Sequence, residues 1–450
     1  MLRIQSKLAR ALGAFGLAAA VALVAGCGGG GGSSGTTTST TGSTSSTSST
    51  GSTSSTGSSS TTTLAAGAPV STTPSTLASN QVAVVVASNV VSRAANIPMV
   101  SVKVCVPGTS TCQTIDDIQI DTGSWGLRLT KDALNSTMQS ALTAETVSGQ
   151  TVANCAGFAD GNTWGTVRTA DLTIGGETAS SVPIHVLGDL PQSAAGGASN
   201  SCASGTLNDT SSAIASHGIL GIGTAKFDCG SGCQSVTANG VYYGCTTVAG
   251  TTTCTDLAVP EAQQVTNPVR LFATDNNGVI LNMPAVTAAG STSASGFLTF
   301  GIGTQANNVL PGSGIKQMTT DHYGNMQSAS LSGTSTSAAF FDTGSNGLFY
   351  ADSLTRCLPS FGFYCPASTV SRTPSVTGFN GTTTSVALSI GNAQDLFNDG
   401  GYAYDNIGGA LSGGAFDFGM PFFYGRTVYV NYDPAADGSI GVSSPAFIAF

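Results

Sequence analysis

The residues Asp-Thr-Gly-Ser occur twice in the chain, at Asp121–Ser124 and at Asp342–Ser345. Each copy follows a short apolar run, and each is followed, after one intervening residue, by Gly-Leu. Asp and Gly both favour turns, which would explain one copy. Turn preference does not explain two copies with matched flanks. We therefore interpret the two motifs as parts of one site.

Two aspartates in such a site suit the hydrolysis of an amide. Carboxylates about 3 Å apart cannot both ionise, so they share one proton. The ionised member takes a proton from water, and the protonated member supplies one to the carbonyl oxygen. The pair then titrates as a unit. Asp121 and Asp342 are the candidate catalytic residues.

Three pairs of neighbouring residues are predicted to support the two carboxylates. Glycines without a side chain let the two loops approach each other, and threonines can form hydrogen bonds to the opposite loop. Serines can donate to the outer carboxylate oxygens. The pairs are Gly123 and Gly344, Thr122 and Thr343, and Ser124 and Ser345.

The elements that must position these loops are strands. Segments rich in β-branched and aromatic residues alternate with Gly, Asn, Asp and Pro, which predicts an all-β protein. The predicted strands are 82–86, 100–106, 118–120, 167–174, 184–187, 297–300 and 428–432. Only 131–142 and 260–271 are expected to be helical. The sequence has neither a glycine-rich phosphate loop after a strand nor a G-x-S-x-G elbow.

Each motif is followed much later by an apolar segment with a glycine. These segments are H-G-I-L-G-I-G at His217–Gly223 and F-D-F-G-M-P-F-F at Phe416–Phe423. The repetition predicts two related halves that each contribute one aspartate. The roughly 370 residues after the N-terminal region also exceed what one hydrophobic core usually organises.

This pattern resembles the pepsin-like aspartic proteases over nearly all of the folded part. Gly218–Gly221 resembles the segment that backs the first loop, Gly296–Gly303 the strand that crosses between lobes, and Phe418–Asp433 the closing strands. The resemblance implies a two-lobed all-β fold with a cleft between the lobes. It also implies a monomeric endopeptidase that acts on a peptide or protein and needs no metal or other cofactor.

The flap of that family is altered in this chain. The flap is a hairpin over the cleft, and it aligns with F-A-D-G-N-T-W-G at Phe158–Gly165, with Gly161 near its tip. The family has a Tyr where this chain has Phe158, and a Trp where this chain has Arg128. The usual hydrogen bond between flap Tyr and Trp is therefore predicted to be absent.

Three residues near the proposed cleft have two interpretations. Trp125 and Trp164 could be aromatic walls of the cleft or ordinary core residues. Arg128 could bind an acidic group of the substrate or lie on a solvated strand face. Trp125, Arg128, Phe158, Gly161 and Trp164 are taken as the candidate cleft and flap residues.

The N-terminus is typical of export and lipid attachment. Residues 1–26 combine a basic start with a short apolar stretch, which indicates a signal peptide. V-A-G-C, which ends at Cys27, resembles a bacterial lipobox, although a chance Cys after an ordinary signal is the alternative. Residues 27–78 are mostly Gly, Ser and Thr and are predicted to form a flexible tether. An outer-membrane lipoprotein of the cell envelope is expected, and no Asp follows Cys27 to indicate inner-membrane retention.

The remaining chain is predicted to form an N-terminal lobe at 79–270, crossing strands at 271–310 and a C-terminal lobe at 311–450. Ten cysteines other than Cys27 indicate an oxidising compartment. Neighbours in sequence suggest four disulfides, and elimination suggests Cys155 with Cys202. The predicted pairs are Cys105–Cys112, Cys155–Cys202, Cys229–Cys233, Cys245–Cys254 and Cys357–Cys365. Metal binding is the weaker alternative, because no histidine stands at ligand spacing from the cysteines.

The composition argues against some classes of binding partner. The net charge of -9 and the 8% content of charged residues argue against a nucleic-acid partner and against a basic membrane-binding surface. An active aspartic endopeptidase is the main hypothesis. The alternatives are a binding or inhibitory module on the same scaffold and a structural surface lipoprotein. The lipobox, the tether and the C-V-P-G-T-S-T-C hairpin also resemble a set of uncharacterised secreted proteobacterial proteins.

Overall fold

The computed structural model describes residues 66–89, 91, 93–197, 200–357, 362–411, 414–433 and 446–450. The predicted signal peptide, the lipidation residue Cys27 and most of the predicted tether lie outside the described residues. The predicted end of the tether at residue 78 is too late. Val70 packs against the core, and Val70–Ser71 pairs with a strand at 294–300.

The described residues form an all-β fold, as predicted. Up to residue 187 the strands are β1 Val70–Ser71, β2 Gln81–Val86, β3 Met99–Cys105, β4 Cys112–Asp121, β5 Trp125–Thr130, β6 Thr146–Val147, β7 Gln150–Gly157, β8 Asn162–Ile174 and β9 Glu177–Leu187. Up to residue 300 they are β10 Gly218–Ile222, β11 Tyr242–Val248, β12 Thr251–Asp256, β13 Gly278–Asn282 and β14 Ala294–Phe300. The remainder are β15 Gln317–Thr319, β16 Ser328–Leu331, β17 Thr334–Thr336, β18 Ala338–Phe341, β19 Leu348–Tyr350, β20 Val370–Arg372, β21 Ser375–Thr377, β22 Thr383–Ser385, β23 Leu388–Ile390, β24 Gly408–Ala410, β25 Ala415–Phe418, β26 Thr427–Asn431 and β27 Phe447–Ala449.

Helices are short in the described part of the chain. The α-helices are α1 Ser136–Ala141, α2 Ser211–Ile214, α3 Ser231–Gln234 and α4 Ala393–Asn398. The helix expected at 131–142 is a 3-10 turn followed by α1. The helix expected at 260–271 is absent, and two 3-10 turns stand in its place, because Gln264 is extended and Pro268 interrupts the segment. Within the described ranges, no helix is long and apolar enough to span a membrane.

The first half of the chain closes into a barrel. Pairing runs β3–β4–β10–β5–β9–β8 and returns from β8 to β3. β10 lies between β4 and β5, parallel to the first and antiparallel to the second. A hairpin of β7 and β8 extends from this barrel, and β11 and β12 continue its sheet.

The second half repeats the central part of this topology. β25 lies between β18 and β19, again parallel to the first and antiparallel to the second. Two smaller sheets, β17-β16-β21-β22 and β20-β23, complete the second lobe. Each half therefore inserts a late strand between the two strands that flank its Asp-Thr-Gly-Ser loop. This repetition is the structural counterpart of the repeated motif.

A bridging sheet joins the two lobes. Its strands pair in the order β2–β14–β13–β26–β27–β15. They come from distant parts of the chain, so closing the bridging sheet fixes the two lobes against each other. One hydrophobic core cluster extends from the barrel through the bridging sheet into the second lobe.

Five disulfides join the same pairs that the sequence suggested. They are Cys105–Cys112, Cys155–Cys202, Cys229–Cys233, Cys245–Cys254 and Cys357–Cys365. Four of them lie in the first lobe. Only Cys155–Cys202 spans more than ten residues, with a separation of 47.

Candidate active site

The two motifs lie at equivalent strand ends in the two lobes. Asp121 ends β4, and Gly221 of the inserted strand β10 stands beside it in register. Asp342 follows β18, and its backbone N–H donates to Phe418 O of the inserted strand β25 at 3.0 Å. The apolar strands before each Asp are buried, so their burial anchors the two loops.

Each carboxylate is held by its own loop in the same way. The backbone N–H of Gly123 donates to Asp121 Oδ1 at 2.8 Å, and Ser124 Oγ donates to Oδ2 at 2.5 Å. In the other lobe, Gly344 N–H donates to Asp342 Oδ1 at 2.7 Å, and Ser345 Oγ donates to Oδ2 at 2.9 Å. Donors to both oxygens favour the ionised form of a carboxylate and fix its orientation.

The two loops are also bonded to each other across the lobe boundary. Thr122 N–H donates to Thr343 Oγ1 at 3.1 Å, and Thr343 N–H donates to Thr122 Oγ1 at 3.0 Å. Each hydroxyl then donates to a carbonyl of the opposite lobe, at Phe341 or Ile120, over 2.8 Å. Both threonines are buried. This arrangement sets the distance between the two aspartates.

The two glycines bring the carboxylates together. A Cβ placed on Gly123 would lie 2.7 Å from Asp342 Cγ, and one placed on Gly344 would lie 2.6 Å from Asp121 Oδ1. Each carboxylate therefore lies against the glycine of the opposite loop. Only residues without a side chain fit at these two positions.

The electrostatics indicate one proton shared between the two aspartates. Burial raises the pKa of the Asp342 carboxyl well above its ordinary value, and the negative charge of Asp121 raises it further. A hydrogen bond between the Asp342 and Asp121 side chains acts in the same direction, whereas the hydrogen bond from Ser345 opposes it. Asp342 is thus the member that retains a proton in the folded protein.

A third carboxylate that the sequence analysis missed lies next to this pair. Asp417 is on β25 and is 5% exposed. Burial raises the pKa of the Asp417 carboxyl well above its ordinary value, and the charge of Asp417 contributes to the raised pKa of Asp342. The signal was present in the sequence, because F-D-F-G places an acidic residue within a strand that is otherwise apolar.

The flap region is a hairpin that turns between β7 and β8, at residues 158–161. Phe158 N–H donates to Gly161 O at 2.8 Å across this turn. The Phe158 ring lies 5.8 Å from the guanidinium carbon of Arg128. A cation–π contact therefore joins Phe158 and Arg128.

Arg128 does not line an open cleft, which corrects the expectation that it could bind an acidic substrate group. It is 3% exposed, and its guanidinium donates to Asp228 at 3.1 Å and to Asn154 at 2.9 Å. It also contacts His185 Nδ1 at 2.7 Å. Burial lowers the pKa of His185 well below its ordinary value, and the positive charge of Arg128 lowers it further. A neutral His185 can accept the hydrogen bond from Arg128.

The side of the flap hairpin is attached to residues 200–208, which we call the strap. Cys155 of β7 is bonded to Cys202 of the strap. Asn162 N–H donates to Thr206 O at 2.9 Å, and Asn208 N–H donates to Asn162 O at 2.8 Å. The flap is thus held by a disulfide and by backbone hydrogen bonds on one side.

The two tryptophans belong to the interior. Trp164, on β8, is fully buried and packs edge-on against Tyr243, at a distance of 5.6 Å between ring centroids. It is a core residue, which corrects its assignment to the cleft. Trp125 is 5% exposed, and its ring lies 5.4 Å from that of Tyr323 in the second half of the chain.

Metal ligands are not clustered in the part of the chain that the structure describes. No group of three or more His, Cys, Asp or Glu residues there could hold a metal ion. The chemistry that this site supports is acid–base chemistry between Asp121 and Asp342.

Comparison with known proteins gives a family and a structural neighbour. A family model described as "Protein of unknown function (DUF3443)" matches residues 76–450. No curated protein matches the chain. Among solved structures, the aspartic proteinase from Irpex lacteus is 18% identical, with a TM-score of 0.44, over 82% of this chain and 96% of that chain.

Proposed function

The chain belongs to the family described as protein of unknown function (DUF3443), and from the geometry of its site we propose that it is an aspartic endopeptidase. The supporting observation is the facing pair of Asp121 and Asp342, held symmetrically by two equivalent loops, with each carboxylate against the glycine of the opposite loop. A turn motif with a purely structural role does not require two carboxylates to face each other. Such a pair is costly for folding, because two buried acidic groups without a cation destabilise each other.

The proposed mechanism follows from the roles of the two carboxyl groups. The ionised carboxylate removes a proton from water, and the oxygen of that water attacks the peptide carbonyl carbon. The protonated carboxyl, Asp342 in the free protein, donates its proton to the carbonyl oxygen. The hydrogen bonds of the two loops hold both groups in place before the substrate binds, which reduces the reorganisation that the reaction requires.

We further propose that the protein acts in the bacterial cell envelope, attached to the outer membrane by acyl chains on Cys27. This part of the proposal depends on the sequence at residues 1–78. A peptide or protein is the proposed substrate, and the tether would let the two lobes reach it at a distance from the membrane. A monomer without a cofactor is proposed.

The decisive experiment measures cleavage by the full-length chain, purified in mild detergent with its disulfides formed. Denatured casein and a mixed peptide library serve as substrates from pH 3 to pH 7. Asp121→Asn and Asp342→Asn are each expected to lower kcat by about 10²- to 10⁴-fold or more, because each removes one member of the acid–base pair. Asp395→Asn, on the exposed first turn of α4, is the matched control and should cleave like the wild type.

Cleavage that persists in either aspartate variant would contradict the proposal. A folded wild-type protein that cleaves nothing in this range would also contradict it. The binding module on the same scaffold would then become the preferred function, and peptides retained by the inactive protein would identify its ligand.

A further inference from the structure

Gln119 is a polar residue within the apolar strand that leads to the first aspartate. Ile118 and Ile120 on either side of it are fully buried in the hydrophobic core, and Gln119 itself is 7% exposed. Successive side chains of a strand point to opposite faces, so the Gln119 amide points away from the core that holds the two isoleucines. A buried amide is costly unless it forms hydrogen bonds. Its hydrogen-bond partner is therefore informative.

The partner of Gln119 is the glycine of the opposite loop. Gln119 Nε2 donates to Gly344 O at 3.0 Å, although the two residues are 225 positions apart in the chain. The N–H of Gly344 donates to Asp342 Oδ1 at 2.7 Å. A Cβ on Gly344 would lie 2.6 Å from Asp121 Oδ1. Gly344 thus lies against both aspartates, and Gln119 holds its carbonyl.

A second amide from the first half of the chain holds the end of the same loop. Asn96 Nδ2 donates to Asn346 O and to Tyr404 O, both at 2.9 Å. Its Oδ1 accepts from the Tyr404 N–H at 2.8 Å and from the Tyr424 hydroxyl at 3.0 Å. These four bonds use the full hydrogen-bonding capacity of the amide, so its orientation is fixed. Asn96 is fully buried, and its φ of 61° is a left-handed conformation that Asn adopts more readily than most residues.

Three consecutive carbonyls of the second loop are therefore held. Ser345 O, which lies between the two carbonyls described above, accepts from the Met420 N–H of its own lobe at 2.7 Å. The outer two carbonyls accept from amides of the first half of the chain. This restraint matters at Gly344, because glycine has the widest choice of backbone conformations and loses the most freedom when it is ordered.

The matching position in the second lobe carries an apolar residue. Phe340 stands two residues before Asp342, as Gln119 stands two residues before Asp121, and a phenylalanine side chain cannot hold the opposite loop by a hydrogen bond. The bonds between Thr122 and Thr343 are reciprocal, whereas the bond from Gln119 runs in one direction. The repeated topology alone therefore does not explain why a glutamine stands in this strand.

We propose that Gln119 and Asn96 are positioning residues that hold the second loop, and with it the Asp342 carboxyl, in the place that the reaction requires. This inference rests on the function proposed above. A shift of Gly344 would move both the N–H that is bonded to Asp342 and the backbone that lies against Asp121. Loss of the Gln119 amide should therefore slow the chemical step and leave substrate binding nearly unchanged.

The test compares steady-state kinetics of the full-length wild type, Gln119→Met and Gln264→Met. Methionine has the length of glutamine but no hydrogen to donate. We expect Gln119→Met to lower kcat by about 10- to 10²-fold with little change in KM, because a misplacement of about 1 Å can cost about 10²-fold in rate. Gln264 is the matched control, since it is also buried and its Nε2 donates to a glycine carbonyl, Gly230 O, at the same 3.0 Å. Folded Gln264→Met should keep the wild-type kcat.

Equal kcat values for folded Gln119→Met and Gln264→Met would overturn the inference, as would a change in KM alone. Asn96→Gly is the second variant. Glycine adopts the positive φ of Asn96 without strain, so this substitution removes the amide and keeps the backbone. A lower kcat is expected here too, and an unchanged kcat would remove Asn96 from the proposal.

Hydrogen exchange tests the same inference without requiring activity. In Gln119→Met, a peptide that covers residues 342–348 should exchange about tenfold faster than in the wild type, because loss of a hydrogen bond lowers the free energy of local opening. The same peptide of Gln264→Met should exchange like the wild type. Unchanged exchange of residues 342–348 in Gln119→Met would overturn the inference even if the protein is inactive. Inactivity of the wild type alone would contradict only the proposed endopeptidase function.

Discussion

Thr122 and Thr343 each donate a backbone N–H to the hydroxyl oxygen of the other, at 3.1 and 3.0 Å. These two bonds cross the boundary between the lobes, and each threonine directly follows one of the two aspartates in the chain. Each hydroxyl is also a donor to a carbonyl of the opposite lobe. The two lobes are thus fixed to each other at the point where their carboxylates meet.

Thr343→Val should damage both stability and activity. Valine keeps the shape of threonine but removes the acceptor of the Thr122 N–H and a hydroxyl donor to the Ile120 C=O. We expect a loss of about 3 kcal/mol in the free energy of unfolding, measured by urea denaturation, and a lower kcat. Thr343→Ser keeps the hydroxyl and should lose much less of either. Equal effects of valine and serine would show that the hydroxyl does not couple the lobes.

Gly344→Ala should abolish most of the activity. Its Cβ would lie 2.6 Å from Asp121 Oδ1, so one of the two loops has to shift. A displacement of a reacting group by about 1 Å can cost about 10²-fold in rate, and we expect at least that loss in kcat/KM. Gly312→Ala is the control, because no atom lies within 4 Å of a Cβ at that position. Activity of Gly344→Ala near that of the control would refute the close approach of the two loops.

The stability of the protein should depend on the ionisation of Asp342. Its folded pKa is raised, so the folded chain retains a proton that the unfolded chain loses near pH 4. The resulting stabilisation is complete below that pH and is lost as pH rises through the folded pKa. Asp342→Asn cannot ionise and should therefore become more stable relative to the wild type between pH 4 and pH 8.

The expected gain for Asp342→Asn is about 1.4 kcal/mol for each unit by which the Asp342 pKa is raised. Urea denaturation of both proteins across this pH range measures it. The comparison also cancels the opposite contribution of His185, whose lowered pKa makes the fold less stable as pH falls. A difference between the two proteins that does not change with pH would contradict the prediction.

Removal of Cys155–Cys202 should affect substrate binding as well as stability. The double variant Cys155→Ala/Cys202→Ala frees the strap from the flap hairpin, so we expect a several-fold higher KM with a smaller change in kcat. Chain entropy predicts a loss of about 4 kcal/mol in the free energy of unfolding for this disulfide. Steady-state kinetics at a temperature where the variant is fully folded separates the two effects.

The matched control for the strap is Cys105→Ala/Cys112→Ala. That disulfide closes a short hairpin between β3 and β4, and its loss should cost about 2 kcal/mol without a change in KM. If both double variants raise KM to the same extent, the effect comes from general destabilisation and not from the flap.

The sequence alone determined the repeat, the fold class and the candidate catalytic pair. Local patterns carry these features, because each Asp-Thr-Gly-Ser motif follows an apolar strand and precedes Gly-Leu. The disulfides between neighbouring cysteines were predictable for the same reason. Four of the pairs are close in sequence, so each cysteine has an obvious partner. Cys155–Cys202 was predicted only because these two cysteines remained.

Only the tertiary structure decided how the remaining residues are used. Arg128 and Trp164 were placed near the cleft because of their positions along the chain, but Asp228 and Tyr243, which pack against them, are far away in sequence. The burial of Asp417 depends on the insertion of β25 between β18 and β19, which are far from it in sequence. Burial and the raised pKa of Asp342 arise from groups that long-range strand pairing brings together. These contacts join residues that are far apart in sequence, so a local sequence pattern does not predict them.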